Sequence, residues 1–309
     1  MTAAEVSAGE GRIERRIFVV GAPRSGTTLV QSLLAAHDQL TSFTESHFFS
    51  RHFRPLPRIP GLPGLPRALL AHNPAPRLHA FLAENDEAPP EAAAWFDDSL
   101  RLLPRLPFRT RPAARRFLQV LDQLALRRGK SGWIEKTPMH LRYLPFLESL
   151  AEPPPRTDFV HVLRDGLEVL ASLFKASKSW ERAYTLDECI HRWKTDVSLS
   201  ILRLEAARGD GPHDHFILYE ELTTDPEPVL QRLLRDLGLP WQPSLLERYA
   251  QAAPTLITQE ESWKASAASP IRPSSTSQEV LNEEQRERVR KKLGEGFYRE
   301  LRELLRDRG

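Results

Sequence analysis

The sequence predicts an α/β protein of three layers, a central parallel β-sheet with helices on both faces, on three observations. Two apolar runs, Arg16 to Val20 and Thr157 to Leu163, lack the alternation of a half-exposed strand and read as buried parallel strands, and Gly132 to Glu135 and His215 to Tyr219 read as two further strands. Each is followed by a segment of helical period, and repeated strand-then-helix units build parallel sheets flanked on both sides. The third is size: 309 residues, 40% hydrophobic and 27% charged, suffice for one large core and argue against disorder.

Taken in order, Arg16-Ile17-Phe18-Val19-Val20 is the first strand. It runs through Gly21-Ala22-Pro23-Arg24-Ser25-Gly26-Thr27-Thr28 into a helix over Leu29 to Ala36. From about 51 to 116 the character changes. Residues 51–112 hold 12 prolines, 9 arginines and no lysine, with the repeat Gly61-Leu62-Pro63-Gly64-Leu65-Pro66. Prolines at that density oppose long helices and ladders, while Leu, Trp95 and Phe96 are too frequent for a linker, so an insert of short helices folded over the site as a lid is expected. Gly132-Trp133-Ile134-Glu135 is the second strand, with a helix from Leu141 to Leu150 that Pro153-Pro154-Pro155 ends. Thr157 to Leu163 is the third, and Arg164-Asp165-Gly166 turns it into a helix over Leu167 to Ala176. Thr185 and Glu188 have capping-box spacing ahead of a helix to about Arg208, with Ile190, Trp193, Val197, Ile201 and Leu204 as its apolar stripe. His215 to Tyr219 is the fourth strand, before a helix over Val229 to Leu237; Asn282 to Arg306 reads as a charged, exposed helix. No internal repeat is visible, and 1–309 reads as a single domain.

Composition removes several classes. No apolar run approaches the ~20 residues of a membrane-spanning helix. Met1 to Arg12 lacks a basic region followed by an apolar stretch, so a cytoplasmic protein is expected. Cys189 is the only cysteine, which excludes an internal disulfide and a multi-cysteine zinc site. A net charge of +2 gives no reason to expect a nucleic-acid partner. Only 8 of the 43 basic residues are lysine; a GC-rich genome explains that skew more simply than a demand for bidentate anion binding.

The first loop has the form of a phosphate cradle, since a strand feeding a helix N-terminus aims backbone N–H groups and the helix dipole at one anion. Against the Walker pattern G-x-x-x-x-G-K-[ST] it keeps Gly21, Gly26 and Thr28 but carries Thr27 in place of lysine. Its cation is Arg24, three residues earlier. The expected fold is therefore P-loop-like, but a nucleoside triphosphatase would want the lysine, and no aspartate-ended strand stands out to hold magnesium. A glycine turn with no ligand would not need Arg24, Ser25, Thr27 and Thr28 together.

Pro23-Arg24-Ser25-Gly26-Thr27-Thr28 resembles the 5′-phosphosulfate loop of sulfotransferases that use 3′-phosphoadenosine 5′-phosphosulfate (PAPS). A second element agrees. Arg164 at a strand end and Ser172 eight residues on resemble that family's 3′-phosphate motif, and a guanidinium suits bidentate phosphate binding; alone, Arg164-Asp165 reads equally as a local ion pair. Tyr219-Glu220-Glu221-Leu222, Asp225-Pro226 and Leu237-Gly238-Leu239-Pro240 resemble a stretch whose tyrosine contacts adenine, with a core role for Tyr219 as the rival. Lys136-Thr137-Pro138-Met139-His140 is similar to a signature of bacterial members, in some of which the lysine touches the sulfonate. These motifs span Ile17 to about Trp241. Trp263-Lys264 and Arg272-Pro273-Ser274-Ser275 are candidates for a loop closing over the cofactor.

The resemblance implies a sulfotransferase moving a sulfonate from PAPS to a hydroxyl of a small molecule, lipid or glycan, with release of 3′-phosphoadenosine 5′-phosphate (PAP). A homodimer stays open, and no metal is required. Cofactor contacts fall on Arg24, Ser25, Gly26, Thr27, Thr28, Arg164, Ser172 and Tyr219, with Arg24 aimed at the group in flight. Transfer needs a base for the acceptor proton and cations for the growing charge. Glu45 stands 21 residues after Arg24, where the tyrosine-sulfotransferase-like branch has its base. His47, two residues on and sharing its face in an extended segment, is the rival, as in the cytosolic animal branch. Lys136 is the second cation. His37 is expected to close its helix, and His161 to sit in the sheet. The alternatives are a P-loop kinase-like phosphotransferase and a non-catalytic nucleotide-binding module.

Overall fold

The structure, a computed structural model, describes residues 11–56, 67–100, 107–150, 155–206, 213–256, 271–273, 276–294, 301–303 and 305. Seven strands are present among them: β1 (Arg15–Gly21), β2 (Leu40–Ser42), β3 (Phe53–Pro55), β4 (Ala68–Leu70), β5 (Gly132–Lys136), β6 (Arg156–Leu163) and β7 (His213–Leu218). Five form one parallel sheet in the order β2-β5-β1-β6-β7, and β3 pairs with β4 antiparallel.

The first half of the chain contributes α1 (Thr27–Ala35), α2 (Phe48–His52), α3 (Ala75–Glu84), α4 (Glu91–Leu100) and α5 (Pro107–Arg127). A 3₁₀ turn (Pro138–Tyr143) leads to α6 (Leu144–Glu148), and α7 (Gly166–Ser177) and α8 (Leu186–Ala206) follow β6. After β7 come α9 (Tyr219–Thr224), α10 (Pro226–Leu237), α11 (Leu245–Ala252), α12 (Thr276–Val280) and α13 (Glu283–Leu293).

β1 is central, and both its faces are apolar because both are covered. Ile17 and Val19 share a core with Leu29 and Leu33 of α1, Leu230 and Leu234 of α10, and Tyr249 of α11. Phe18 and Val20 share another with Trp133, Phe159, and Phe117, Leu121 and Leu124 of α5. Asp122 of α5 ties that layer to the sheet, accepting from Arg16 Nη2 at 2.5 Å and Trp133 Nε1 at 2.8 Å. Beyond β6, α7 and α8 pack with Leu163, and Val289 of α13 joins them. These are the expected three layers.

Several expectations change at the level of elements. β2 was not foreseen; three residues at a sheet edge leave no periodicity to read. The proline-rich stretch contains both the β3–β4 ladder and the 21-residue helix α5. Pro107 begins α5, where a missing N–H costs nothing. Pro112 sits in its second turn, and the rest is proline-free, burying Phe117, Val120, Leu121 and Leu124. The boundary read near 116 thus falls inside a helix. Leu70, Phe81 and Phe96 belong to the same core as Phe18, so the segment packs against the sheet. The helix read from Leu141 starts as the 3₁₀ turn, because Pro145 in the first turn of α6 cannot donate back to position 141. β7 stops at Leu218, and Tyr219 opens α9 instead.

The capping box before α8 is present: Thr185 N donates to Glu188 at 2.8 Å and Glu188 N to Thr185 Oγ1 at 3.3 Å. The tail helix is shorter than read. α13 starts on an Asn282–Gln285 capping box and ends at Gly294, whose φ is +90°; Val289 is buried, so the helix is not wholly exposed. The Gly61–Pro66 repeat, Pro153 and Pro154 lie outside the described residues. So do Trp263, Lys264, Ser274 and Ser275.

Candidate functional site

Parallel strands bring all their carboxyl ends to one edge of the sheet. After β1 the chain leaves through α1 toward β2, and after the adjacent β6 it leaves through α7 toward β7. Two neighbouring strands whose connections diverge open a crevice, the usual ligand position in such sheets. The loops at 22–26 and 164–165 border it.

The first loop is shaped by close approaches. A Cβ on Gly21 would lie 2.6 Å from the Val162 carbonyl oxygen, and one on Gly26, at φ +97°, would lie 2.2 Å from the Tyr219 ring. Arg24 also adopts a left-handed φ of +76°, a strained conformation that clusters at ligand sites. Ser25 N donates to Ala22 O at 3.1 Å, and Gly26 leaves the start of α1 without a side-chain cap. The Ser25 hydroxyl is buried with no hydrogen-bond partner, which in a native loop calls for a ligand or water. Thr27 is buried and Thr28 half-buried in the first turn.

The second motif closes onto the first. Arg24 Nε donates to Ser172 Oγ at 3.1 Å, and Arg164 Nη1 donates to Arg24 O at 3.1 Å. The Arg164 guanidinium lies 4.3 Å from the centre of the Tyr219 ring. Asp165 does not pair with Arg164; it caps α7 by accepting from Glu168 N at 3.2 Å, while its own N–H donates to Glu220 Oε1 at 3.0 Å. Arg24 thus reaches toward Ser172, a link that spacing alone did not predict.

A second group stands at the ends of β2 and β5. Lys136, fully buried, donates to Glu45 Oε1, and His47 Nε2 lies 3.4 Å from Glu45 Oε2. His47 does not share Glu45's face on an extended strand: its φ is +52° and it caps α2. Burial drives its pKa down to about 4, Glu45 only partly opposing this, so the ring is neutral at physiological pH. Behind the pair, Glu135 accepts from Ser46 Oγ and Thr137 Oγ1, both at 2.6 Å, and lies 2.8 Å from His140 Nδ1. Burial pushes the Glu135 carboxyl up, but His140, Ser46 and Thr137 outweigh it and hold it below its ordinary value. Phe49 N donates to His140 Nε2 at 3.2 Å, fixing the proton on Nδ1.

Glu135, Thr137 and Ser46 were missed as site residues. The available signal was two adjacent charges, Glu135 and Lys136, in a strand whose neighbours are apolar. His37 is buried and neutral rather than a cation at a helix end: Nε2 meets Pro240 O at 3.0 Å, Nδ1 accepts from Gln39 N at 3.2 Å, and burial lowers its pKa. His161 is in the sheet as expected, between Ser200 and Asp214. Arg272 is exposed. No cluster of metal-ligating residues occurs among the described residues, and none of their helices is long and apolar enough to cross a membrane.

A family model described as "Sulfotransferase family" matches residues 16–243. An uncharacterised protein of Aquifex aeolicus is 27% identical over 258 residues, 80% of this chain and 28% of its own length. The omega-hydroxy-beta-dihydromenaquinone-9 sulfotransferase Stf3 of Mycobacterium bovis is 27% identical over 246 residues, 72% of this chain and 62% of its own. The chain therefore spans less than two thirds of these relatives. The sulfotransferase domain of the Synechococcus PCC 7002 olefin synthase superposes with a TM-score of 0.53 at 18% identity, over 91% of this chain and 96% of that domain.

Proposed function

Because this chain belongs to the sulfotransferase family, we propose that it transfers a sulfonate from PAPS to a hydroxyl of a small-molecule, lipid or glycan acceptor and releases PAP. One observation carries the reading: the buried, unpartnered Ser25 hydroxyl stands in a loop that Arg24 and Arg164 join to Ser172. That is a cradle with hydroxyl and guanidinium donors for two separate phosphates and with Thr27 where a kinase would want lysine. The donor set fits PAP chemistry. Ser25, Thr27, Thr28 and the start of α1 would hold the 5′ end, Arg164 and Ser172 the 3′-phosphate, and Tyr219 the adenine, with Arg24 shared between the two ends.

Bound PAPS supplies an activated sulfonate. Glu45 takes the acceptor's hydroxyl proton. Its arrival neutralises the carboxylate that Lys136 now pairs with, and the ammonium would then be left to balance negative charge at the oxygen bridging the sulfonate and the departing phosphate. A relative named for an omega-hydroxylated dihydromenaquinone keeps lipid alcohols within the acceptor range. We place the activity in the cytoplasm, which cell fractionation tests.

The test is calorimetric. PAP is expected to bind at least tenfold tighter than adenosine 5′-phosphate, a gap of about 1.4 kcal/mol, and Arg164→Ala is expected to abolish the difference. Equal affinities in the wild type would overturn the assignment of a separate 3′-phosphate site.

A further inference from the structure

Glu45 lies between β2 and α2, in a stretch with no strand partner and no helix of its own. Buried backbone groups there must still be satisfied, and α3 does much of this. Arg77 Nη2 donates to Glu45 O at 2.6 Å and Arg77 Nε to Ser46 O at 3.0 Å. The same guanidinium forks onto Glu84, seven residues on along α3, with Nη2–Oε2 at 3.0 Å and a contact from Nη1 to Oε1. Glu84 also accepts from Thr44 Oγ1 at 3.2 Å, and Asn85 Oδ1 accepts from Thr44 N at 3.1 Å. From the sheet side, His47 N donates to Thr137 Oγ1 at 3.2 Å, while Ser46 is held by Glu135.

We propose that Arg77 and Glu84 are a positioning pair that sets the Glu45 carboxylate against Lys136, so that α3 fixes the geometry of the base. The inference rests on reading Glu45 as the base. Its physical content is rigidity: a planar fork held by a carboxylate has little freedom left, and it grips two successive carbonyls of the segment that carries the carboxylate. The left-handed φ of His47, directly after those carbonyls, is strain that persists only where surroundings over-determine the chain. A displacement of about 1 Å at a reacting group costs on the order of 10²-fold in rate. Arg77 touches none of the cradle residues named above, so loosening it should spare cofactor affinity.

Two measurements test this. In single turnovers of PAPS with water as acceptor, counted as PAP formed, Arg77→Ala should lose about ten- to a hundredfold while calorimetric PAP affinity stays within twofold. Arg77→Lys, which keeps the charge but lacks the planar fork that spans both carbonyls and Glu84, should recover part of the loss. The second measurement needs no turnover: the His47 ring is titrated by NMR in the wild type and in Glu84→Ala. Deleting a negative charge would by itself lower the His47 pKa below about 4. A loosened segment instead hydrates the ring and raises it toward 6.5, the expected result. An unchanged or lowered value, or full turnover in Arg77→Ala, overturns the proposal. Wild-type protein that binds no PAP overturns the sulfotransferase reading instead, and the His47 titration then still decides whether the pair sets this geometry.

Discussion

Glu45 and His47 separate as candidate bases on physical grounds. Glu45 is a buried carboxylate against a buried ammonium, whereas His47 is neutral and burial takes its pKa down to about 4, far from the range in which an imidazole is an effective base. Glu45→Gln keeps the size but accepts no proton, so turnover should fall 10²–10⁴-fold with PAP affinity nearly unchanged; His47→Asn should cost less than tenfold. Single-turnover PAP release on both variants checks this, and the reverse ranking would make His47 the base. Both residues were legible in the sequence, Glu45 because the family resemblance implies a base at that distance after Arg24 and His47 as its rival two residues on. What Glu45 leans on was not. Arg77 is one of nine arginines in a proline-rich stretch, and only folding α3 against residues 44–46 singles it out. Tyr219 was read as a strand residue, yet opening α9 is what lets its ring lie over Gly26 and beside Arg164.

At the scale of elements, α5 carries the layer that the proline count concealed. Phe117 stacks on Phe48 of α2 with ring centroids 3.9 Å apart and 4° between planes, and edge-on against Phe49 at 5.7 Å. α2 begins immediately after His47, so this stack anchors the segment that presents Glu45. Phe117→Ala should destabilise the fold by about 3–5 kcal/mol, read from urea unfolding, with PAP affinity retained at temperatures where the variant stays folded. Loss of less than 1 kcal/mol would show that α5 is not the anchor. The strands β1 and β6 were readable because each holds a buried apolar run, and β5 and β7 because a shorter apolar run, Trp133-Ile134 and Phe216-Ile217-Leu218, stands in each. α5 was not, because its amphipathic pattern, although built of good helix formers such as Ala, Leu, Arg and Gln, starts behind Pro107 and Pro112 in a stretch whose proline count argues against long helices.

For the molecule as a whole, the same burial that builds the layers sets its response to acid. His37, His47, His52 and His161 all have pKa values lowered chiefly by burial, to about 4 for His47 and His52. Both ring nitrogens of His52 are buried without hydrogen-bond partners. A histidine with a folded pKa below its unfolded value near 6.5 binds fewer protons folded than unfolded between the two. Stability must therefore fall as pH drops below about 6.5, for His47 and His52 over the range down to about 4, by at most about 1.4 kcal/mol per pH unit for each such group. Glu135 adds a later loss: its folded pKa lies below the ordinary 4.5, so its contribution is intact above that pH and disappears as pH falls through the lowered value. Urea unfolding at pH 7, 6 and 5 should thus show a declining midpoint, and the double variant His47→Gln with His52→Gln should flatten that decline while leaving the fall below pH 4.5. An unaltered slope between pH 7 and 5 in the double variant would mean that these two rings already carry protons in the folded state.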